Sequence, residues 1–138
     1  MAEALQFDLV SPEEALMSEA VEMVIVPGSE GDFGVLAEHA PLMSTLRPGV
    51  VQVHRSGEGP FSIFVRGGFA EVTPGGLTIL AEEAIPLENL ETSDLDDRIE
   101  VAKQRAEAAR SDDDARDAAQ YVSDLEFLRD NLEDFRKA

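Results

Sequence analysis

The chain is 138 residues long, contains no cysteine, and sets 29 acids against 11 bases for a formal charge of -18. That length allows one compact domain or a small domain with a helical appendage, and the missing thiols exclude disulfides and thiolate metal sites. So acidic a chain is repelled by phosphate backbones and anionic headgroups, no apolar run reaches the about 20 residues of a membrane span, and MAEALQFDLV lacks the marks of an export signal; the expectation is a soluble, unexported protein with no nucleic-acid binding and no direct membrane insertion.

The first ninety residues read as short strands. Leu5, Phe7 and Leu9 alternate with Gln6 and Asp8, which gives a half-buried strand ending at Ser11 and Pro12. VEMVIV is a second, more fully apolar run that halts at Pro27 and Gly28. The stretch from Gly28 to Gly49 then collects four glycines, two prolines, three acids and His39, one of two histidines. Glycines there allow tight turns or close approach, and Phe33, Val35 and Leu36 can anchor the segment to a core, so a shaped surface is expected there.

After Pro48 and Gly49, VVQVHR alternates again, and SGEG before Pro60 is a hairpin turn into FSIFVR. Gly67 and Gly68 break that strand, FAEV resumes it, TPGG turns the chain, and LTILA follows. Short strands punctuated by Gly and Pro at about 8–12-residue spacing predict a sandwich or barrel.

Composition changes near residue 90. Before it the bases are only Arg47, Arg55 and Arg66, whereas from Glu91 acids and bases interleave at helical spacing. Leu95, Ile99, Ala102, Ala106 and Ala109 form one stripe, with Asp94, Asp96 and Asp97 in the positive first turn of a helix over about 93–110. SDDD at Ser111 to Asp114 can break and recap the chain. Ala118, Val122, Leu125, Leu128, Leu132 and Phe135 then make a second stripe, and two helices so closely linked should pack antiparallel. The alanine-rich first stripe buries little area, so the hairpin is expected to be marginal alone. The predicted organisation is an all-β sandwich over residues 1–90 and a C-terminal antiparallel two-helix hairpin over 91–138.

Catalytic and cofactor chemistry finds no arrangement in these residues. His39 and His54 are the only imidazoles, and among so many carboxylates their proximity to serines or acids carries little information; the expectation is a loop histidine and a strand histidine. GSEGDFG lacks the Lys-Ser/Thr ending of a phosphate-binding loop and the ligand spacing of a calcium loop. Glu82 and Glu83, as strand neighbours, would point to opposite faces. No catalytic residue, cofactor or metal is therefore predicted.

Three blocks, in order, carry a resemblance: FDLVSPE, VPGSEGDFGVLAEHAPLMSTLRPGVV and FVRGGFAEVTPGGLTILAEEA, followed by the helical hairpin. Over nearly its whole length the chain resembles the epsilon subunit family of bacterial F-type ATP synthases. The resemblance implies a β-sandwich followed by a two-helix hairpin. It also implies a non-catalytic rotor subunit of the central stalk, peripheral on the cytoplasmic face of the bacterial inner membrane. Such a subunit would bind the gamma subunit and the ring of c subunits, and couple proton-driven rotation to ATP synthesis.

On this resemblance Ser29, Glu30, Gly31 and Asp32 face the c ring with His39 nearby, while Ser11 and Met43 face gamma. Some family members bind regulatory ATP through an Ile/Leu-Asp-x-x-Arg-Ala motif; here Arg98 matches its arginine, but Asp94, Leu95 and Ile99 occupy the Ile/Leu, Asp and Ala places. Many relatives also extend the second helix toward an acidic loop of beta. From Ala115 onward this chain offers Arg116, Arg129, Arg136 and Lys137 against six acids, so the expected inhibition is weak or absent. The alternatives from other classes are a free-standing small β-sandwich ligand- or peptide-binding module, and a small hydrolase.

Overall fold

The computed structural model describes residues 4–137, and the chain divides into two compact units after Glu88. The first unit contains ten strands: β1 (Leu5–Val10), β2 (Ala15–Val21), β3 (Met23–Gly28), β4 (Gly31–Val35), β5 (Leu42–Thr45), β6 (Gly49–His54), β7 (Phe61–Arg66), β8 (Phe69–Thr73), β9 (Gly76–Leu80) and β10 (Glu83–Pro86). They form two five-stranded sheets, ordered β2-β1-β9-β8-β5 and β10-β7-β6-β3-β4. Only β1 and β9 pair in parallel among the described strands; every other pair is antiparallel.

Period-two alternation builds the sandwich. Leu5, Phe7 and Leu9 on β1, Leu77 and Ile79 on β9, and Ala70 and Val72 on β8 supply the inner face of one sheet. Val24 and Val26 on β3, Val51 and Val53 on β6, and Ile63 and Val65 on β7 supply the other. Each Val, Leu, Ile or Phe so removed from water contributes about 1.5–3 kcal/mol, so this shared layer dominates the unit's stability. At the rim, Arg55 reaches across from the second sheet to Glu19 on β2 at 3.7 Å and lies 5.3 Å from the centre of the Phe61 ring.

Four strands were not placed from the sequence, β2, β4, β5 and β10, and a fifth, β3, runs further than expected. β2 and β10 are edge strands, as are β4 and β5, and none has a clean apolar alternation. Edge strands bury less and tolerate proline and glycine, which erases the pattern by which strands are read. β3 is an interior strand, but past Ile25 it pairs with β4 alone among the described strands, so it does not halt at Pro27 and runs through Gly28, paired with Asp32 and Gly31 of β4.

The second unit holds α1 (Thr92–Glu107) and α2 (Asp112–Lys137). Leu95, Ile99 and Ala102 of α1 and Ala118, Leu125, Leu128 and Leu132 of α2 are buried. Ala106, Ala109, Val122 and Phe135, on the predicted stripes, are only half-buried. α1 ends earlier than its alanine stripe implied, at Ala108, whose N–H still reaches the Gln104 carbonyl at 3.1 Å. Ser111 caps α2 by accepting the Asp114 N–H at 3.1 Å. Arg129 of α2 reaches Asp96 near the start of α1 at 3.4 Å, as an antiparallel hairpin requires. Neither helix is long and apolar enough to cross a membrane.

The turn between β7 and β8 is the most stringent backbone position of the sandwich. Gly68 has φ of 95°, and a Cβ there would lie 1.8 Å from the Leu80 carbonyl oxygen. Gly57, at φ of 74°, has open space around it. Gly68→Ala should therefore destabilise the chain by at least about 3 kcal/mol, whereas Gly57→Ala should cost only about 1 kcal/mol, as read from urea unfolding of the two variants.

Candidate docking surface

The segment Val26-Pro-Gly-Ser-Glu-Gly-Asp-Phe folds back on itself as the β3–β4 hairpin, with Ser29 and Glu30 as its turn. Its tip is poor in ladder bonds and side-chain packing. Pro27 opposes Asp32 but has no N–H to donate, and Gly28 opposes Gly31, so two glycines flank the turn. Gly31 has φ of 134°, a region few side chains adopt. A Cβ at Gly28 would lie 2.8 Å from the Gly31 carbonyl oxygen and 2.9 Å from the Phe33 ring.

What the tip lacks internally comes from the chain at the end of β5, which belongs to the other sheet. Ser29 N–H donates to the Thr45 carbonyl at 2.9 Å, and the Thr45 hydroxyl donates to Ser29 Oγ at 2.8 Å. Arg47 N–H donates to the Pro27 carbonyl at 3.0 Å. Its guanidinium then forks, Nη1 donating to the Gly28 carbonyl at 2.7 Å and Nη2 to Asp32 Oδ1 at 2.5 Å. With the Arg47 and Asp32 side chains 43% and 59% exposed, the ion pair is worth no more than about 1 kcal/mol. Glu30, exposed at the turn, makes no ion pair with any described residue.

Beside the tip lies a shallow depression lined by residues 30–33 and 42–44. On its β5 side Leu42 and Met43 are 41% and 61% exposed, large values for apolar side chains in a sandwich. Acidic tip and apolar floor thus form one continuous surface, a combination suited to a protein partner.

The structure brings together Ser29, Glu30, Gly31 and Asp32, and adds Met43, which sequence reasoning had assigned to a different partner. It does not bring His39 to the tip. His39 lies beyond the far end of β4, which carries it about 13 Å away at about 3.3 Å per residue. There it lines a separate depression with residues 72–76, and its Nδ1 donates to the Ala40 carbonyl at 2.7 Å. Ser11 is elsewhere again, closing the β1–β2 turn: its N–H donates to the Glu14 carbonyl at 2.9 Å, and its Oγ accepts the Glu14 N–H at 3.3 Å. His54 is half-buried on β6 opposite Met23.

Arg47 and Thr45 are functional candidates that sequence reasoning missed. One signal was available: Arg47 is the first base in the chain, following forty-six residues that include every acid of the tip. A lone cation so placed is expected to find one of those carboxylates.

In the helical unit, Arg98 is exposed on α1. Asp94, which stands in the nucleotide motif's Ile/Leu place, accepts the Glu91 N–H at 3.0 Å and is committed to capping the helix. The arginines of α2 are engaged by neighbouring carboxylates: Arg116 by Asp113 at 3.0 Å, Arg136 by Glu133 at 3.4 Å, and Arg129 by Asp130, Asp96 and Glu126 at 3.1, 3.4 and 3.9 Å. Among the described residues no group of three or more His, Asp or Glu could hold a metal ion.

Comparison with known proteins agrees with this architecture. Residues 4–87 match the family model of the ATP synthase delta/epsilon chain β-sandwich domain. The ATP synthase epsilon chain of Parvibaculum lavamentivorans is 53% identical over 94% of this chain and 98% of its own length. That of Rhodospirillum rubrum is 49% identical over 93% and 96%. Among solved structures, a chain of the Euglena gracilis mitochondrial ATP synthase, in its OSCP/F1/c-ring assembly, superposes with a TM-score of 0.71 at 26% identity, covering 94% of this chain and 81% of that one. A chain of the Tetrahymena thermophila mitochondrial ATP synthase central stalk and c ring shares the fold over 64% of this chain and 70% of that one, with a TM-score of 0.54 at 10% identity. A sandwich matched over residues 4–87, and relatives of about half identical sequence along nearly their full length, establish that the chain belongs to the ATP synthase epsilon chain family.

Proposed function

We propose that this chain is a non-catalytic rotor subunit of the central stalk in a bacterial F-type ATP synthase. It binds gamma and the c ring on the cytoplasmic face of the inner membrane, and couples proton-driven rotation to ATP synthesis. The observation that carries the reading is the match to epsilon chains along nearly the whole of both chains, sandwich and hairpin together. The structural likeness to a chain of an F1/c-ring assembly supports it further. A free-standing ligand module has no such support.

Within this role the acidic tip is the c-ring contact, and the ion pair at its base favours one of its two carboxylates for that part. Asp32 is occupied by Arg47, so Glu30 is the charge left to meet a basic loop of a partner. The apolar floor at Leu42 and Met43 continues the same contact surface. Ser11 and His39 lie outside it.

The helical hairpin is a weak brake at most. Its α2 arginines are paired within the hairpin, and six acids from Asp117 to Asp134 would meet an acidic loop of beta with like charge. Nucleotide binding at Arg98 has no support from its neighbours, since Asp94 serves the helix cap.

Two measurements follow. In a stalk reconstituted with and without the chain, its omission should abolish ATP-driven proton pumping, and Glu30→Lys should lower pumping several-fold while changing the unfolding free energy by no more than about 0.5 kcal/mol. Unchanged pumping and unchanged gamma binding on omission would overturn the rotor assignment. Removing residues 91–138 should leave the ATPase rate of the assembled enzyme within about twofold of the intact complex, because a like-charged hairpin has little inhibition to relieve.

A further inference from the structure

We propose that Arg47 is the positioning residue of the docking tip: its forked guanidinium sets where the Ser29–Glu30 turn stands, and thereby the efficiency of coupling. This rests on the docking role proposed above for that tip.

The argument begins with what the tip cannot do for itself. The last two pairs of the β3–β4 ladder are Pro27 with Asp32 and Gly28 with Gly31. Proline donates no ladder bond and neither glycine carries a side chain, so beyond the Phe33 ring that lies against Gly28 the hairpin's own end does little to hold the turn. Yet a docking charge must be held at one place and direction to transmit torque without slack. The restraint has to come from outside the hairpin.

It comes from one short segment of the opposite sheet. Arg47 touches both strands of the hairpin at once, through Nη1 to the Gly28 carbonyl on β3 and Nη2 to the Asp32 carboxylate on β4. Its own N–H holds Pro27 from behind, while Thr45 holds Ser29 through backbone and hydroxyl. A planar fork that grips a carbonyl and a carboxylate together fixes both their separation and their orientation, which a lysine, with a single point of charge, would not. The pair is exposed and adds little to overall stability, so its work is orientation of the turn and not folding of the sandwich.

Asp32 thereby changes role. It is a tether for Arg47, and Glu30, two residues earlier at the turn, is what the tether aims. Removing Arg47's guanidinium should leave the sandwich core in place, because its hydrogen bonds go to Gly28 and Asp32 of the hairpin.

The test combines amide hydrogen exchange on the full chain with pumping by the assembled enzyme, for Arg47→Met, Arg47→Lys and Glu30→Lys. Arg47→Met should raise exchange at residues 28–32 by at least about tenfold while exchange in β1, β6 and β9 stays unchanged. It should also lower protons pumped per ATP hydrolysed, without loss of the chain from the complex. Arg47→Lys should fall between wild type and Arg47→Met in both readouts. Unchanged exchange at the tip in Arg47→Met overturns the staple, whatever pumping does. Increased exchange with undiminished pumping shows a staple without a coupling role and overturns the proposal as well. If Glu30→Lys leaves pumping intact, the docking reading itself fails, and the exchange arm still decides whether Arg47 orders the tip.

Discussion

The layer of apolar side chains shared between the two sheets is the constraint on which everything else here depends. Phe7, Leu9, Val24, Val26, Val51, Val53 and Ile79 are all fully withdrawn from water, and they come from both sheets. Because strands alternate their faces residue by residue, sealing that layer fixes the register of every interior strand, and a slip by one residue would expose it. The turns are then obliged to fit the strands, which is why Gly68 and Gly76 adopt conformations that other residues resist.

A packed sandwich is a good base for a transmitted force, and the proposed docking surface lies at its edges. β4 and β5, edge strands of opposite sheets, are joined at one corner by the bonds from Ser29, Thr45 and Arg47. That corner holds the acidic turn and the exposed Leu42 and Met43 side by side. The geometry explains how a segment rich in glycine can still be a firm surface: its conformational freedom is spent on close approach, and its position is dictated by neighbours from the other sheet. Charge follows the same division, with one carboxylate held inside the corner and one presented outward.

Interior strands were legible in the sequence because burial on one face imposes alternation, and β1, β6, β7, β8 and β9 stand close to where LQFDLV, VVQVHR, FSIFVR, FAEV and LTILA placed them. Edge strands were not, because β2 and β10 answer to no second neighbour and carry mixed or charged residues. The two helices were legible from their three-and-four spacing, though half-buried Ala109 shows that a stripe of small residues overstates a helix's length. In the site, the acids and glycines of residues 28–32 announced a shaped loop. The staple did not announce itself, since Arg47 lies fifteen residues from Asp32 and meets it only once two sheets have packed. His39, near in sequence, proved distant in space, because an intervening strand separates what a loop would have kept together.

The central claim is that the outward carboxylate of this corner meets the c ring. It is tested most directly by placing a photoreactive amino acid at position 30 of the assembled enzyme, with position 58 on the β6–β7 turn as control, and identifying the crosslinked partner by mass. The account predicts a product with the c subunit from position 30 and none with it from position 58. A product from position 30 with gamma alone, or the same c-subunit product from both positions, would contradict it.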